Sequence, residues 1–198
     1  MKRGRPRVWS VGEPRGLAAL ASPSRIEIVG ALQTHGPSSI RELAAELDRP
    51  ADGLYHHVRI LLRAGLVIES DRRKVGRRVE VVYALTAPRV GGQLDSASPR
   101  GKAAVIRAGI AAVRLAAREF AAAIEADAVT CTNGVANTRV SRQRTWLTDE
   151  GVGKLHRLLA QIERLLTKEN RQKRGRLHSV TVVMAPLLKQ RRQKNAPA

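Results

Sequence analysis

The chain has 198 residues, with 36 Lys and Arg against 17 Asp and Glu. The formal charge of +19 calls for a polyanionic partner, because cationic side chains near phosphates release condensed counterions. Hydrophobic residues make up 43%, enough to bury a core, so the chain is not a charged disordered tail. Aromatics are only 3%, which argues against modules that stack bases on rows of exposed rings. The single cysteine, Cys131, excludes an internal disulfide framework and any site built on two thiolates. The expected compartment is the reducing cytoplasm. No apolar run reaches the ~20 residues of a membrane span, so no membrane partner is expected. The basic start, Met1 to Ser10, has no apolar stretch behind it and does not read as a secretory signal.

In chain order, residues 1–13 read as a basic arm. Ser22-Pro23 then pairs an N-cap with proline at the first helical position. Ile28, Val29 and Leu32 fall on one face of that helix, and Gly36-Pro37 ends it. Ser39-Ile40-Arg41-Glu42 is a capping box opening a second helix, with Leu43, Ala44 and Leu47 on its inner stripe. Asp48-Arg49-Pro50 breaks it. A third helix is expected from Ala51 to Ala64, with Leu54, Val58 and Leu61 inward and Gly65 at its stop. A strand at Leu66–Glu69, a basic turn over Arg72–Arg77 and an alternating strand from Val79 to Leu85 follow. This is the order of a winged helix-turn-helix, expected over 14–87.

Residues 88–101, rich in Gly, Pro and Ser, read as a linker. A second domain is expected over 102–186. Its first helix, 102–127, carries Ile106, Ile110, Val113, Ala117, Phe120 and Ile124 at alternating spacings of four and three. That is a heptad-like seam suited to a partner helix. Residues 128–137 read as a loop and 138–147 as a strand. Thr148 caps a further helix, Asp149 to Asn170, with Val152, Leu155, Leu159, Ile162 and Leu166 on one stripe. A last strand is expected at Leu177–Met184, and 187–198 form a basic tail. The fold class is α+β, mainly helical: an N-terminal winged helix-turn-helix followed by a helix-strand-helix-strand dimerisation domain.

The run Ala19-Leu20-Ala21-x-Pro23-x-Arg25, Glu42-Leu43-Ala44 and Leu54-Tyr55-His56-His57-Val58 with Arg59-x-Leu61 resembles the ArsR-like winged helix-turn-helix transcriptional regulators of bacteria. Ala64-Gly65-Leu66-Val67 and Tyr83-x-Leu85 complete the set, over about residues 14–87. The resemblance implies a homodimer on double-stranded DNA, with the third helix in the major groove and the wing on the minor groove or backbone. With Leu54, Val58 and Leu61 inward, the outward set is Ala51, Asp52, Tyr55, His56 and Arg59. Arg59 can contact a phosphate or chelate a guanine. Tyr55 and His56 can exchange hydrogen bonds with base edges or stack on a sugar or thymine methyl. Asp52 can accept from a cytosine amine or only cap the helix. Ser39 resembles the family's phosphate contact at a helix N-terminus. Arg72, Arg73, Lys74, Arg77 and Arg78 would be the wing contacts. The alternative reading is a nucleoid-associated or RNA-binding structural protein that uses charge without sequence readout.

Metal sensing is not expected. Arg41 to Leu47 holds no cysteine, 102–127 holds no histidine, and the adjacent His56 and His57 point about 100° apart on a helix. No phosphate loop, nucleophile elbow or His-Glu-x-x-His is present, so neither an enzyme nor a cofactor is expected. Cys131 beside Asn133-Gly134 is read as inert rather than redox-sensing, and Trp146 as core rather than a pocket wall. A small-molecule effector in the second domain remains an expectation without a named ligand. Residues 1–90 carry 16 bases and 9 acids, whereas 91–198 carry 20 and 8. Most of the excess therefore lies outside the reading head.

Overall fold

The structure is a computed structural model that describes residues 8–10, 14–87, 89–91 and 98–187. Of the expected arm and tail, most lies outside the described residues. The chain opens with β1 (Val8–Ser10), α1 (Pro14–Ala19) and α2 (Pro23–His35). Then come β2 (Ser38–Ser39), α3 (Ile40–Glu46), α4 (Ala51–Arg63), β3 (Val67–Val75) and β4 (Arg78–Leu85). Next are β5 (Arg89–Gly91), α5 (Pro99–Glu125), β6 (Cys131–Thr132), β7 (Val135–Ala136) and α6 (Asp149–Gln172). β2, β4 and β3 form an antiparallel sheet in that order.

The N-terminal half forms as its punctuation dictates. Ser39 Oγ accepts from the Glu42 amide while the Glu42 carboxylate accepts from the Ser39 amide at 2.7 Å, so both arms of the capping box close. Gly65, at φ +71, lets α4 end with two back-bonds, Leu66 N–H to Leu61 C=O and Gly65 N–H to Leu62 C=O. The core beneath joins Ile28 and Leu32 of α2, Leu43 of α3, Leu54, Val58 and Leu61 of α4, and Leu66, Val67 and Tyr83 from the sheet. Every inward position expected from spacing on α4 is buried.

The wing differs from the expectation. Arg72, Arg73 and Lys74 are strand residues of β3, paired with Val81, Glu80 and Val79. The turn is only Gly76-Arg77, between the paired Val75 and Arg78, with Gly76 at φ +60. A two-residue hairpin turn needs positive φ, which glycine adopts without a Cβ penalty. The ribbon is solvated on both faces here, so its strands carry no alternation for a pattern to reveal. The register shifts between Glu69 and Asp71, and Ser70 Oγ donates to Val82 C=O at 3.2 Å.

Two further differences flank this domain. Val8–Ser10 of the expected arm pair in parallel with Arg89–Gly91 of the expected linker. α5 starts at Pro99, inside that linker, because Ser98 caps it by accepting from the Gly101 amide and proline occupies its first turn. α5 packs on α1 and α2 through Ala104, Ala111 and Leu115.

The expected helix-strand-helix-strand order is corrected in the second half. Residues 138–147 and 177–184 form no strand. Only the short β6–β7 hairpin stands between the helices, its turn at Asn133-Gly134. Trp146 is 93% exposed and is not core. Thr148 does cap α6, which runs to Gln172 but buries no residue. Of its apolar stripe, Val152, Leu155 and Leu159 are half-buried among the described residues, while Ile162 and Leu166 are exposed.

Leu61 is fully buried at the centre of the helical core. Leu61→Ala should cost about 2–5 kcal/mol through lost transfer energy and the cavity left behind, read as a lower urea midpoint at unchanged slope.

Candidate nucleic-acid interface

α3, the tight connection over 47–50 and α4 place one helix against another with α4 outermost. The connection turns at Asp48, which takes a positive φ of 48°. Arg49 anchors it: one guanidinium nitrogen donates to Ser24 Oγ at 2.7 Å, and the other meets Glu27 of α2 at 2.8 Å. Glu27 also pairs with Arg118 of α5. One carboxylate, 15% exposed, thus links α2, the helix-turn-helix connection and α5. Sequence reasoning missed this network, since nothing in the spacing of residues 27, 49 and 118 announces it. Arg25, part of the motif, donates back to Ala19 C=O at the end of α1.

The solvent face of α4 carries Asp52, Tyr55, His56 and Arg59, all exposed, with Tyr55 at 51%. Ala51 is half-buried and packs on the core, so it offers little to a ligand. His57 differs from His56. It is half-buried, and its Nδ1 is buried without a partner among the described residues. Burial, then the Arg25 charge, then His56 and Arg49, hold its imidazole below the usual range. The His56 and His57 rings meet edge-on at 5.7 Å rather than converging on a shared point.

Ser39 is turned into the fold and is not presented to solvent as a phosphate contact requires. It is 1% exposed, and its Oγ is engaged by the Glu42 amide. Its contribution is to shape the start of α3. Glu42 carries that shape to the wing: its Oε2 accepts from Arg73 at 2.7 Å as well as from Ser39 N–H. These hydrogen bonds, the Ser39 amide first, hold the Glu42 carboxyl below its ordinary range. Arg73 is therefore a brace for β3 as well as an exposed cation. Arg72 meets Glu69 at 3.5 Å. Lys74, Arg77 and Arg78 are exposed, with no acidic partner among the described residues. Burial, then nearby Glu69 and Tyr55, push the Tyr83 phenol up, so Tyr55 sits close to the root of the wing.

Residues 20–70, from the end of α1 into β3, match a family model described as a helix-turn-helix domain. This part of the chain is a helix-turn-helix domain. The match is to a DNA-binding type and supports a role in transcription regulation. The chain matches no curated protein sequence. Among the described residues, no helix is long and apolar enough to cross a membrane, and no cluster of three or more His, Cys, Asp or Glu is arranged to hold a metal ion.

The His57 shift has a stability consequence. The unfolded chain takes up this proton near pH 6.5, before the folded chain does. Stability from the neutral imidazole is therefore complete above about pH 6.5 and is lost as pH falls below it. Thermal melts by circular dichroism should show Tm falling between pH 7 and 5, and His57→Gln should flatten that limb.

Proposed function

We propose that this chain is a sequence-specific transcriptional regulator of the ArsR-like type, binding double-stranded DNA as a homodimer. The observation that carries this reading is the outer face of α4. Its four exposed polar side chains, Asp52, Tyr55, His56 and Arg59, are those that can reach base edges when a helix lies in the major groove. The narrow turn at Gly76-Arg77, with Lys74 and Arg78 beside it, suits a minor groove or phosphate contact and carries no base code of its own. Ser39 acts in this scheme by orienting α3, not by touching phosphate.

The homodimer is supported by the seam on α5. Ile106, Ile110, Val113, Phe120 and Ile124 are 41–60% exposed, and Ala117 is exposed with them. The opposite side of the same helix, through Ala104, Ala111 and Leu115, is already buried. A second reading head also matches the half-site symmetry on which helix-turn-helix proteins depend.

The preferred site, selected from a random duplex library, should bind at least ~10³-fold more tightly than random duplex at fixed salt. A ratio near one would favour a nucleoid-associated or RNA-binding protein that works through charge alone. Tyr55→Ala or Arg59→Ala should cost about 1–3 kcal/mol at the preferred site and relax discrimination there. Arg77→Ala should instead weaken all sequences evenly and lower the salt slope by about one. Ile110→Asp should shift light-scattering mass from two chains to one, because a charge in the seam loses its hydration on pairing.

A further inference from the structure

Three parts of the second half expose apolar surface in one chain. α5 shows the five large seam residues described above. α6 exposes Leu158, Ile162, Leu165 and Leu166 at 41–56%. Beyond it, Leu177, Val180, Val182, Val183, Met184 and Leu187 are 43–70% exposed. Fifteen side chains of this size at about half exposure leave, summed over the three parts, about 1,400 Å² of surface in water, more than the ~800 Å² each partner covers in a stable interface.

The backbone adds a second, independent observation. Residues 138–147 and 177–184 make no backbone hydrogen bond to any described residue. Yet 177–184 reads Leu-His-Ser-Val-Thr-Val-Val-Met, β-branched at four of eight positions. A strand, a helix and a strand in one chain ordinarily close as a crossover unit with the two strands side by side. Here the segments flank α6 and share no backbone hydrogen bond. The C-terminal end of α6 is instead held on its own head, with Asn170 donating to Gln33 C=O at 3.1 Å and Lys173 to His35 C=O at 3.5 Å. The segment after it leaves that anchor with no backbone–backbone hydrogen bond to any described residue, its His178 ring meeting Arg176 C=O at 2.9 Å.

We infer that residues 177–184 become a β-strand only on association with a second copy of this chain, pairing with that copy's backbone in an intertwined dimer. The occupant is a second copy because the exposed apolar area is of the size a stable dimer covers, and because isologous pairing covers the exposed faces of both chains at once. A foreign peptide would cover one chain's strand and leave the helix faces in water. The inference rests on the homodimer reading but goes beyond the seam. It makes the interface an exchange of strands, with the segments around α6 ordered across the two chains.

The test uses the full chain. Amide hydrogen exchange over 177–184 is measured at concentrations above and below the dimer midpoint, alongside light scattering. Exchange in the dimer should be at least tenfold slower than after dilution to monomer. Val182→Pro removes an amide that bonds nothing within the single chain. It should raise the dissociation constant at least tenfold without changing the melting of 14–87. Unprotected amides in a demonstrated dimer overturn the inference, as does protection that persists in the monomer, which would place the pairing within one chain. So does a Val182→Pro protein of unchanged dissociation constant. If Ile110→Asp dissociates the dimer while Val182→Pro does not, the seam stands and the strand exchange fails. If Val182→Pro dissociates it and Ile110→Asp does not, the seam fails and the exchange stands. A wild-type chain that stays monomeric at every concentration overturns both.

Discussion

The reading head depends on one burial constraint. α4 must place Leu54, Val58 and Leu61 against α2, α3 and the sheet, and all three are buried. A helix has 3.6 residues per turn, so fixing that stripe fixes its opposite. Asp52, Tyr55, His56 and Arg59 point outward because the core leaves them nowhere else to go. A one-residue shift of the helix would bury Tyr55 or Arg59 at the cost of an unpaired polar group. The same packing that holds the domain together therefore sets the chemistry it offers.

Around this constraint the charged residues divide into two roles. Glu27, Glu42 and their arginine partners hold elements together. Glu27 ties α2 to Arg49 in the helix-turn-helix connection and to Arg118 on α5, and Glu42 ties α3 to Arg73 on β3. The second pair is half exposed and contributes modest energy, but it fixes the wing root relative to α3. Arg59, Lys74, Arg77 and Arg78 have no such duty among the described residues. A count of bases cannot separate the two roles. The net charge of +19 therefore overstates what the reading head itself presents, most of the excess lying past residue 90.

The second half obeys a different rule. α5 is two-faced: Ala104, Ala111 and Leu115 are buried, while Ile106, Ile110, Val113, Phe120 and Ile124 face water. Alanine on the inner face lets the helices approach closely, and the seam residues stay exposed. α6 has no fully buried residue, and Leu158, Ile162, Leu165 and Leu166 are exposed. Among the described residues, this region leaves much of its large aliphatic surface exposed.

Local chemistry made much of the first half legible. The Ser39–Glu42 capping box, the Gly65 stop and the inward stripe of α4 each act within a few residues, so spacing alone determined them, and with them the outward face of the helix. The four-three spacing on α5 likewise put Ile106, Ile110, Val113, Phe120 and Ile124 on one face, and all five are exposed. What spacing could not determine was which groups meet across the chain. It placed Ser39 at a phosphate, where the structure buries it. It missed the pairing of β1 with β5 and the link from Glu27 to Arg118, the latter joining residues 91 positions apart. It also assigned strands at 138–147 and 177–184 from β-branched composition. Pairing is a property of two backbones, and in the folded single chain these segments have only one. The sequence by itself determined helices, caps and the face each helix shows. Only the tertiary structure decided which polar groups are spent on the fold and which remain free to bind.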